Sequence, residues 1–243
     1  MNNNVGSAVN LFCLPYAGGG GRMFHSWIKL LPDFIRVFPV ELPGRESKLH
    51  KPAFHNMELL VAMLASELYP IAHKPYAIFG HSMGAIIAFE LALSLTSRGC
   101  LPCQVFISAA AAPHLKNDSY RKTNLSDEGL RTELKKLGGM PNILLDNTEF
   151  MKMFLPTVRA DFILFDSYTY KMGQVLKCPV TVLGGRDDDS IKLKDLLAWN
   201  ALATGDFQLR LFKGNHFFLH SSEKQVLQTI SNELSNNKYE INQ

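Results

Sequence analysis

Four cysteines in 243 residues, Cys13, Cys100, Cys103 and Cys178, are too few for a disulfide framework. Only Cys100-Leu-Pro-Cys103 has a spacing worth weighing, and the second pair of ligands that a zinc site needs is missing. A redox pair belongs at a helix start, where the positive helix end lowers the thiol pKa, whereas this pair precedes an apparent strand. The cysteines are read as reduced structural thiols. Charge of one sign is also scarce: Lys and Arg number 25 against 22 Asp and Glu. The formal excess of +3 is too small to argue for nucleic acid, although it would suit an acidic partner. Met1-Asn2-Asn3-Asn4 is not a basic stretch followed by an apolar one, so no signal peptide is visible. The longest apolar run, around Ala85–Leu95, carries Glu90 and is too short to span a bilayer. No low-complexity linker divides the chain. These absences point to a cytoplasmic protein with one domain over residues 1–243 and no membrane or nucleic-acid partner; a monomer is expected, although nothing in the sequence fixes the oligomeric state.

Apolar residues, by contrast, are plentiful. They make up 47% of the chain against 19% charged, enough for a large core. Short apolar strands alternate with helical stretches, the pattern of a mostly parallel central sheet with helices on both faces. Strands are expected at Val9–Leu14, Ile35–Val40, Tyr76–Phe79, Gln104–Ala109, Pro179–Leu183 and Phe207–Phe212. Helices are expected at Met23–Leu31, Met57–Ala72, Met83–Ser97 and Ser222–Leu234, the third apolar nearly all round and therefore buried. The alternation fails over approximately residues 114–177. Here Ser126 caps a helix with Asp127 and Glu128 in its first turn, and Gly138-Gly139 stops it. A second helix is expected near Thr148–Phe165, interrupted at Pro156. A helical insertion between sheet strands is read as a lid over a site at the strand ends.

The chemistry starts at Gly80-His81-Ser82-Met83-Gly84. The GxSxG pattern alone is weak, but here an expected strand runs straight into it and a helix follows at once. A nucleophile elbow needs that order of strand, sharp turn and helix. Ser82 is therefore the candidate nucleophile, and a serine hydroxyl needs a base and an orienting acid, in the chain order nucleophile, acid, histidine. Three histidines follow Ser82: His114, His216 and His220. His216 sits on a loop after the last expected strand, where this order wants the base, and His220 is read as structural. The strand before it ends in Gly184-Gly185-Arg186-Asp187-Asp188-Asp189, and the residues alone leave the choice of acid among three adjacent aspartates open. An oxyanion hole is expected from the backbone N–H of Met83 and from the glycine-rich loop after the first strand, with Ala17 as donor. That loop lacks the Lys-Ser/Thr ending of a P-loop and the GxGxxG pattern, so a nucleotide site is discounted.

These residues together resemble the type II (external) thioesterases that accompany polyketide and non-ribosomal peptide synthases. The matching stretches are Leu14-Pro15-Tyr16-Ala17-Gly18-Gly19, Glu41-Leu42-Pro43-Gly44-Arg45, Gly80–Gly84, Leu137-Gly138-Gly139-Met140-Pro141, Phe154-Leu155-Pro156 through Arg159-Ala160-Asp161, the Gly185–Asp189 turn and Gly214-Asn215-His216-Phe217-Phe218-Leu219. They run from near the start to near the end of the chain, and the Pro-Gly-Arg and lid stretches are more specific than GxSxG. Two departures are Asn215 in place of a second glycine before the histidine, and Ala85 in place of a glycine after Gly84. The resemblance implies an α/β-hydrolase with a helical lid that hydrolyses acyl, aminoacyl or peptidyl thioesters on acyl or peptidyl carrier protein domains. It assigns the acid to Asp188, completing Ser82, Asp188 and His216, with no metal and no bound cofactor, since phosphopantetheine arrives with the substrate. A generic serine esterase or lipase, or an acyltransferase, would share this triad; a non-catalytic binding protein would normally have lost a member of it. Arg121, Lys122, Lys135 and Lys136, with Arg45 and Lys48, are expected to form an electropositive approach surface for an acidic carrier protein.

Overall fold

The computed structural model describes residues 8–115 and 122–236. In chain order its main elements are β1 (Val9–Leu14), α1 (His25–Leu30), β2 (Ile35–Pro39), α2 (Met57–Leu68), β3 (Tyr76–His81), α3 (Met83–Ser97) and β4 (Gln104–Ser108). They continue with α4 (Asp127–Leu137), α5 (Asn142–Leu145), α6 (Thr148–Ser167), β5 (Val180–Gly185), α7 (Leu193–Leu197), β6 (Phe207–Phe212), α8 (Phe218–Ser221) and α9 (Glu223–Asn236). The six strands form one sheet in the order β2-β1-β3-β4-β5-β6, every pairing parallel.

Alternate residues of each strand feed opposite faces, as the period of two requires. From β1 and β3, Phe12, Leu14, Tyr76 and Ile78 join the layer under α2 and α3, while Leu11, Cys13, Ala77 and Phe79 join the layer under α1 and α9. Both faces are therefore covered, which is why the strands read as nearly continuous apolar runs. Trp27 of α1 packs edge-on against Phe79 with ring centroids 4.8 Å apart, and burying such a ring contributes roughly 1.5–3 kcal/mol. Burial pushes the thiols of Cys13, Cys100 and Cys178 up, that of Cys178 to about 12, so these sulfurs stay protonated. No helix among the described residues is long and apolar enough to cross a membrane.

The insertion between β4 and β5 carries the expected caps. Ser126 accepts from the Gly129 N–H at 3.1 Å, and α4 ends on Gly138 at φ +76°. One expectation is corrected. Pro156 does not interrupt the second helix, because α6 runs unbroken from Thr148 to Ser167 with the proline inside it. Proline denies the Lys152 carbonyl its helical donor, at a cost of about 3 kcal/mol. Both residues face solvent, where water can satisfy that carbonyl, and Met151, Leu155, Val158 and Phe162 bury the opposite face against Leu130, Leu134 and Leu145. Packing outweighs propensity there.

Candidate active site

β1 and β3 are neighbours although β2 lies between them in sequence, so the chain's winding reverses between their C-terminal ends. A crevice at that point is where open parallel sheets place ligands. Ser82 stands on the turn leaving β3, at φ +55° and ψ −118°, a conformation that costs an ordinary residue on the order of 1–3 kcal/mol. The surroundings enforce it. The Ser82 N–H donates to the Ser108 carbonyl of β4 at 2.7 Å. A Cβ on Gly80 would lie 2.0 Å from the Gly84 carbonyl oxygen, and one on Gly84 would lie 2.4 Å from the Leu14 carbonyl oxygen. Two glycines thus let strand, turn and helix approach closely enough to hold the serine at the tip.

The Ser82 hydroxyl lies 3.0 Å from His216 Nε2, and His216 Nδ1 lies 2.8 Å from Asp188 Oδ2. Of the three candidate aspartates, Asp188 is thus the one brought to the histidine. Asp187 instead accepts from the Gly214 N–H at 3.1 Å, while its own N–H donates to the Gly214 carbonyl, so it ties down the loop that carries His216 rather than standing free in solvent. Gly185 makes room for that loop, since a Cβ there would meet the Asn215 carbonyl oxygen at 2.4 Å.

Ser190, which the sequence reading passed over, donates its hydroxyl to Asp188 Oδ1 at 2.5 Å and its backbone N–H to the same oxygen at 2.9 Å. A serine two residues after an aspartate is a local turn signal that could have revealed it. Burial alone would raise the Asp188 carboxyl, but hydrogen bonds from His216 and Ser190, with the imidazole's charge, bring it below the ordinary carboxylate value. Below His216 lies the fully buried His81, its Nδ1 paired with Ser108 Oγ at 2.8 Å and its ring centroid 5.5 Å from that of His216. Burial and the neighbouring His216 push the His81 imidazole well below its ordinary value, so it places no second positive charge beside His216. His220 is exposed, with Nε2 3.3 Å from the Tyr16 hydroxyl, and it takes no part in the chain of contacts to Ser82.

Met83, the first residue of α3, has an N–H with no partner inside its own helix. Met83, Ala17, Ser82 and His216 share the lining of a cavity of about 330 Å³. Its walls are mainly apolar: Ile86 from α3, Leu134 from α4, Phe162 and Phe165 from α6, with Tyr168 and Ile191. The insertion therefore roofs the cavity beside Ser82. The Tyr168 ring is held by a 2.6 Å hydrogen bond from its hydroxyl to Glu90, whose carboxyl burial pushes up.

The expected electropositive surface needs correction at Arg45. This arginine is buried, and its guanidinium makes a two-pronged ion pair with Asp161 of α6 at 2.6 and 2.7 Å. An unpaired exposed arginine would be hydrated; this one is desolvated against a carboxylate and a carbonyl, and it cannot meet a partner. Lys48 pairs with Glu67 at 2.9 Å. Lys135 and Lys136 are exposed on α4, whereas Arg121 and the side chain of Lys122 lie outside the described residues.

A family model described as a thioesterase domain matches residues 9–234. Gramicidin S biosynthesis protein GrsT of Aneurinibacillus migulanus is 36% identical over 237 residues, spanning 96% of this chain and 93% of that protein. The crystal structure of ClbQ from the colibactin NRPS/PKS pathway superposes with a TM-score of 0.89 at 31% identity, covering 96% of this chain and 99% of ClbQ. YbtT, a type II thioesterase from the yersiniabactin NRPS/PKS pathway, superposes with a TM-score of 0.85 at 29% identity, covering 98% and 97% of the two chains. A parallel sheet with the serine turn at its switch point, a family match along nearly the whole chain and these relatives agree: the chain is an α/β-hydrolase of the thioesterase family, an enzyme of thioester hydrolysis that belongs with the type II thioesterases of non-ribosomal peptide and polyketide pathways.

Proposed function

We propose that this enzyme removes acyl groups from the phosphopantetheine thiol of acyl or peptidyl carrier protein domains, with Ser82 as nucleophile, His216 as base and Asp188 as the residue that orients the base. The observation that carries this reading is the Ser82–His216–Asp188 hydrogen-bond chain opening into an apolar cavity roofed by α4 and α6. Ser82 Oγ attacks the thioester carbonyl while His216 Nε2 takes its proton, and Asp188 holds the Nδ1 proton so that Nε2 faces the serine. The negative oxygen of the tetrahedral intermediate is met by the N–H groups of Met83 and Ala17. The C–S bond then breaks, the thiol leaves with the proton held on His216, and the acyl group stays on Ser82. Water attacks the acyl-serine, giving its proton to His216, which returns it to Ser82 Oγ as the acid departs. The steps use side chains, backbone and water; phosphopantetheine enters as part of the substrate. The insertion acts as a lid that shields the acyl-serine while the acyl chain lies against Phe162, Phe165 and Tyr168.

A fluorophosphonate is expected to label Ser82, and label mapped to any other residue would remove Ser82 from this role. Ser82→Ala should fold normally and lose on the order of 10³-fold or more in kcat. Substrate class is tested by presenting one acyl group on a carrier protein, on coenzyme A and on nitrophenol. A kcat/KM that does not favour the carrier-bound form would instead describe a general esterase.

A further inference from the structure

We propose that Arg45 and Asp161 are positioning residues that hold the oxyanion-binding backbone of the loop after β1 in register, and that they do so only while helix α6 is seated. The inference rests on the reading that the Ala17 N–H is an oxyanion donor.

The loop cannot hold itself. It passes from Ala17 through Gly18, Gly19, Gly20 and Gly21, and glycine backbones give up the most conformational freedom when fixed. Within the turn, the Gly19 N–H donates to the Tyr16 carbonyl at 2.8 Å. The side-chain ties come from outside. Asp161 Oδ2 accepts from the Gly18 N–H, in the peptide group next to Ala17, at 2.7 Å. Arg45 Nη1 donates to the Gly19 carbonyl at 2.9 Å, and the Arg45 guanidinium meets both Asp161 oxygens. Glu46, the next residue, accepts from the N–H groups of Gly21 and Arg22 at 2.8 and 3.0 Å.

The anchor is thus split between the body and the insertion. Arg45 and Glu46 come from the loop after β2, while Asp161 comes from α6, the helix that also presents Phe162 and Phe165 to the cavity. The loop rests directly on that helix, because a Cβ on Gly18 would lie 2.7 Å from the Phe154 ring and 2.9 Å from Val158. If α6 lifted, Gly18 would lose its acceptor and Arg45 would lose its counter-ion, so the donor beside Ser82 would lose its support. A buried ion pair is poor evidence for stability, since a well-packed apolar pair usually serves as well. What an apolar pair cannot do is hold the Gly18 N–H and the Gly19 carbonyl.

That distinction supplies the experiment. Arg45→Met with Asp161→Leu replaces the pair by packing; because α6 stays fastened by its apolar contacts, the melting temperature should stay near that of the wild type. Removing one oxyanion donor outright costs about 10²–10³ in kcat, so a misaligned donor is expected to lower kcat on a small pantetheine thioester by roughly 10- to 100-fold, with KM little changed. A trifluoromethyl ketone, which forms a tetrahedral oxyanion on the serine, should lose affinity by the same factor, while the free carboxylic acid product binds as before. The single change Asp161→Asn keeps the side chain's shape and an acceptor for Gly18 while removing the charge; it should lower the melting temperature, since Arg45 is left without its counter-ion, and, where folded, show a smaller loss of the same pattern. If folded variants keep kcat, or lose kcat, KM and product affinity together, the pair is only a fastener and the proposal is overturned. The underlying reading has its own control. If Ser82→Ala hydrolyses the thioester or the ketone does not bind the wild type, the acyl-serine mechanism itself fails, whatever Arg45 and Asp161 do.

Discussion

The turn that carries Ser82 and the insertion that roofs the cavity face each other across one site, but different forces hold them. The turn is fixed by close backbone contact: Gly80 against Gly84, Gly84 against Leu14, and the Ser82 N–H on β4. Little can move without a clash, so a strained serine is maintained by the main core around it. The insertion keeps a separate cluster of seven buried side chains among the described residues, meets the main core through Leu164, Tyr168 and Leu176, and has polar ties such as Arg159 with Asp127 and Arg45 with Asp161. Ser82 and His216 therefore sit in the half with the larger core, while part of the cavity wall, Leu134, Leu137, Phe162, Phe165 and Tyr168, comes from the half with the smaller one, which is expected to open first.

The largest expected effect lies in the half with the larger core. Asp188→Asn should lower kcat by roughly 10³–10⁴-fold, because the amide favours the wrong imidazole tautomer. Asp187→Asn keeps an oxygen for the Gly214 N–H and should change kcat far less; a severe loss at Asp187 with a mild one at Asp188 would reverse the assignment. Next come truncations that compare the two halves directly. Leu91 in the main core and Leu130 in the insertion are both fully buried, and Leu→Ala typically costs about 2–5 kcal/mol. Leu91→Ala should lower global stability by that order, measured in denaturant. Leu130→Ala should instead speed amide exchange over residues 127–167 with a smaller change in the global transition. Equal global losses would mean that the insertion unfolds together with the sheet.

Acid offers a third comparison. Burial raises the Asp188 carboxyl, but its hydrogen bonds from His216 and Ser190 outweigh this, so the folded value lies below the ordinary 3.8. A carboxyl depressed in this way contributes stability in full above the unfolded value and loses it as pH falls through the folded value. Wild type should therefore be more stable than Asp188→Asn above about pH 3.8, with the gap closing as the pH drops further. A gap independent of pH would show that the carboxylate's charge contributes nothing there. The smallest effect is expected on the outer face of the insertion. Lys135→Glu with Lys136→Glu should lower kcat/KM on the order of a few-fold for a carrier-bound substrate and leave a small pantetheine thioester unchanged. The same split should follow added salt, since the Debye length falls from about 30 Å at 0.01 M to about 3 Å at 1 M. Equal responses from both substrates would exclude these lysines from docking.

What was readable in the sequence follows the same division. Ser82 is legible because strand, glycine turn and helix are consecutive, and His216 because it follows the last strand. Asp188 needed the family resemblance, since three adjacent aspartates look alike until one is seen to meet the histidine. The Pro-Gly-Arg and Arg-Ala-Asp stretches were both visible as motifs. Nothing local says that Arg45 meets Asp161, because the two are 116 positions apart and the contact exists only once α6 has packed. From the sequence, Arg45 accordingly reads as a surface charge. Pro156 reads as a break, because propensity is a local quantity and the burial that overrides it is not.

The reactive groups also arrive in a fixed temporal order. Ser82 and its turn can form once β1, β3 and β4 have paired, but the histidine opposite it lies 134 residues further along and is delivered by the loop after β6, the outermost strand of its edge. Domains are synthesised from the N-terminus at about 5–20 residues per second, so on the order of ten seconds separate the emergence of Ser82 from that of His216. During that interval the nascent chain carries Ser82 without His216. On the proposed mechanism, a copy truncated before β6 is expected to keep only the residual turnover left when a member of the triad is removed.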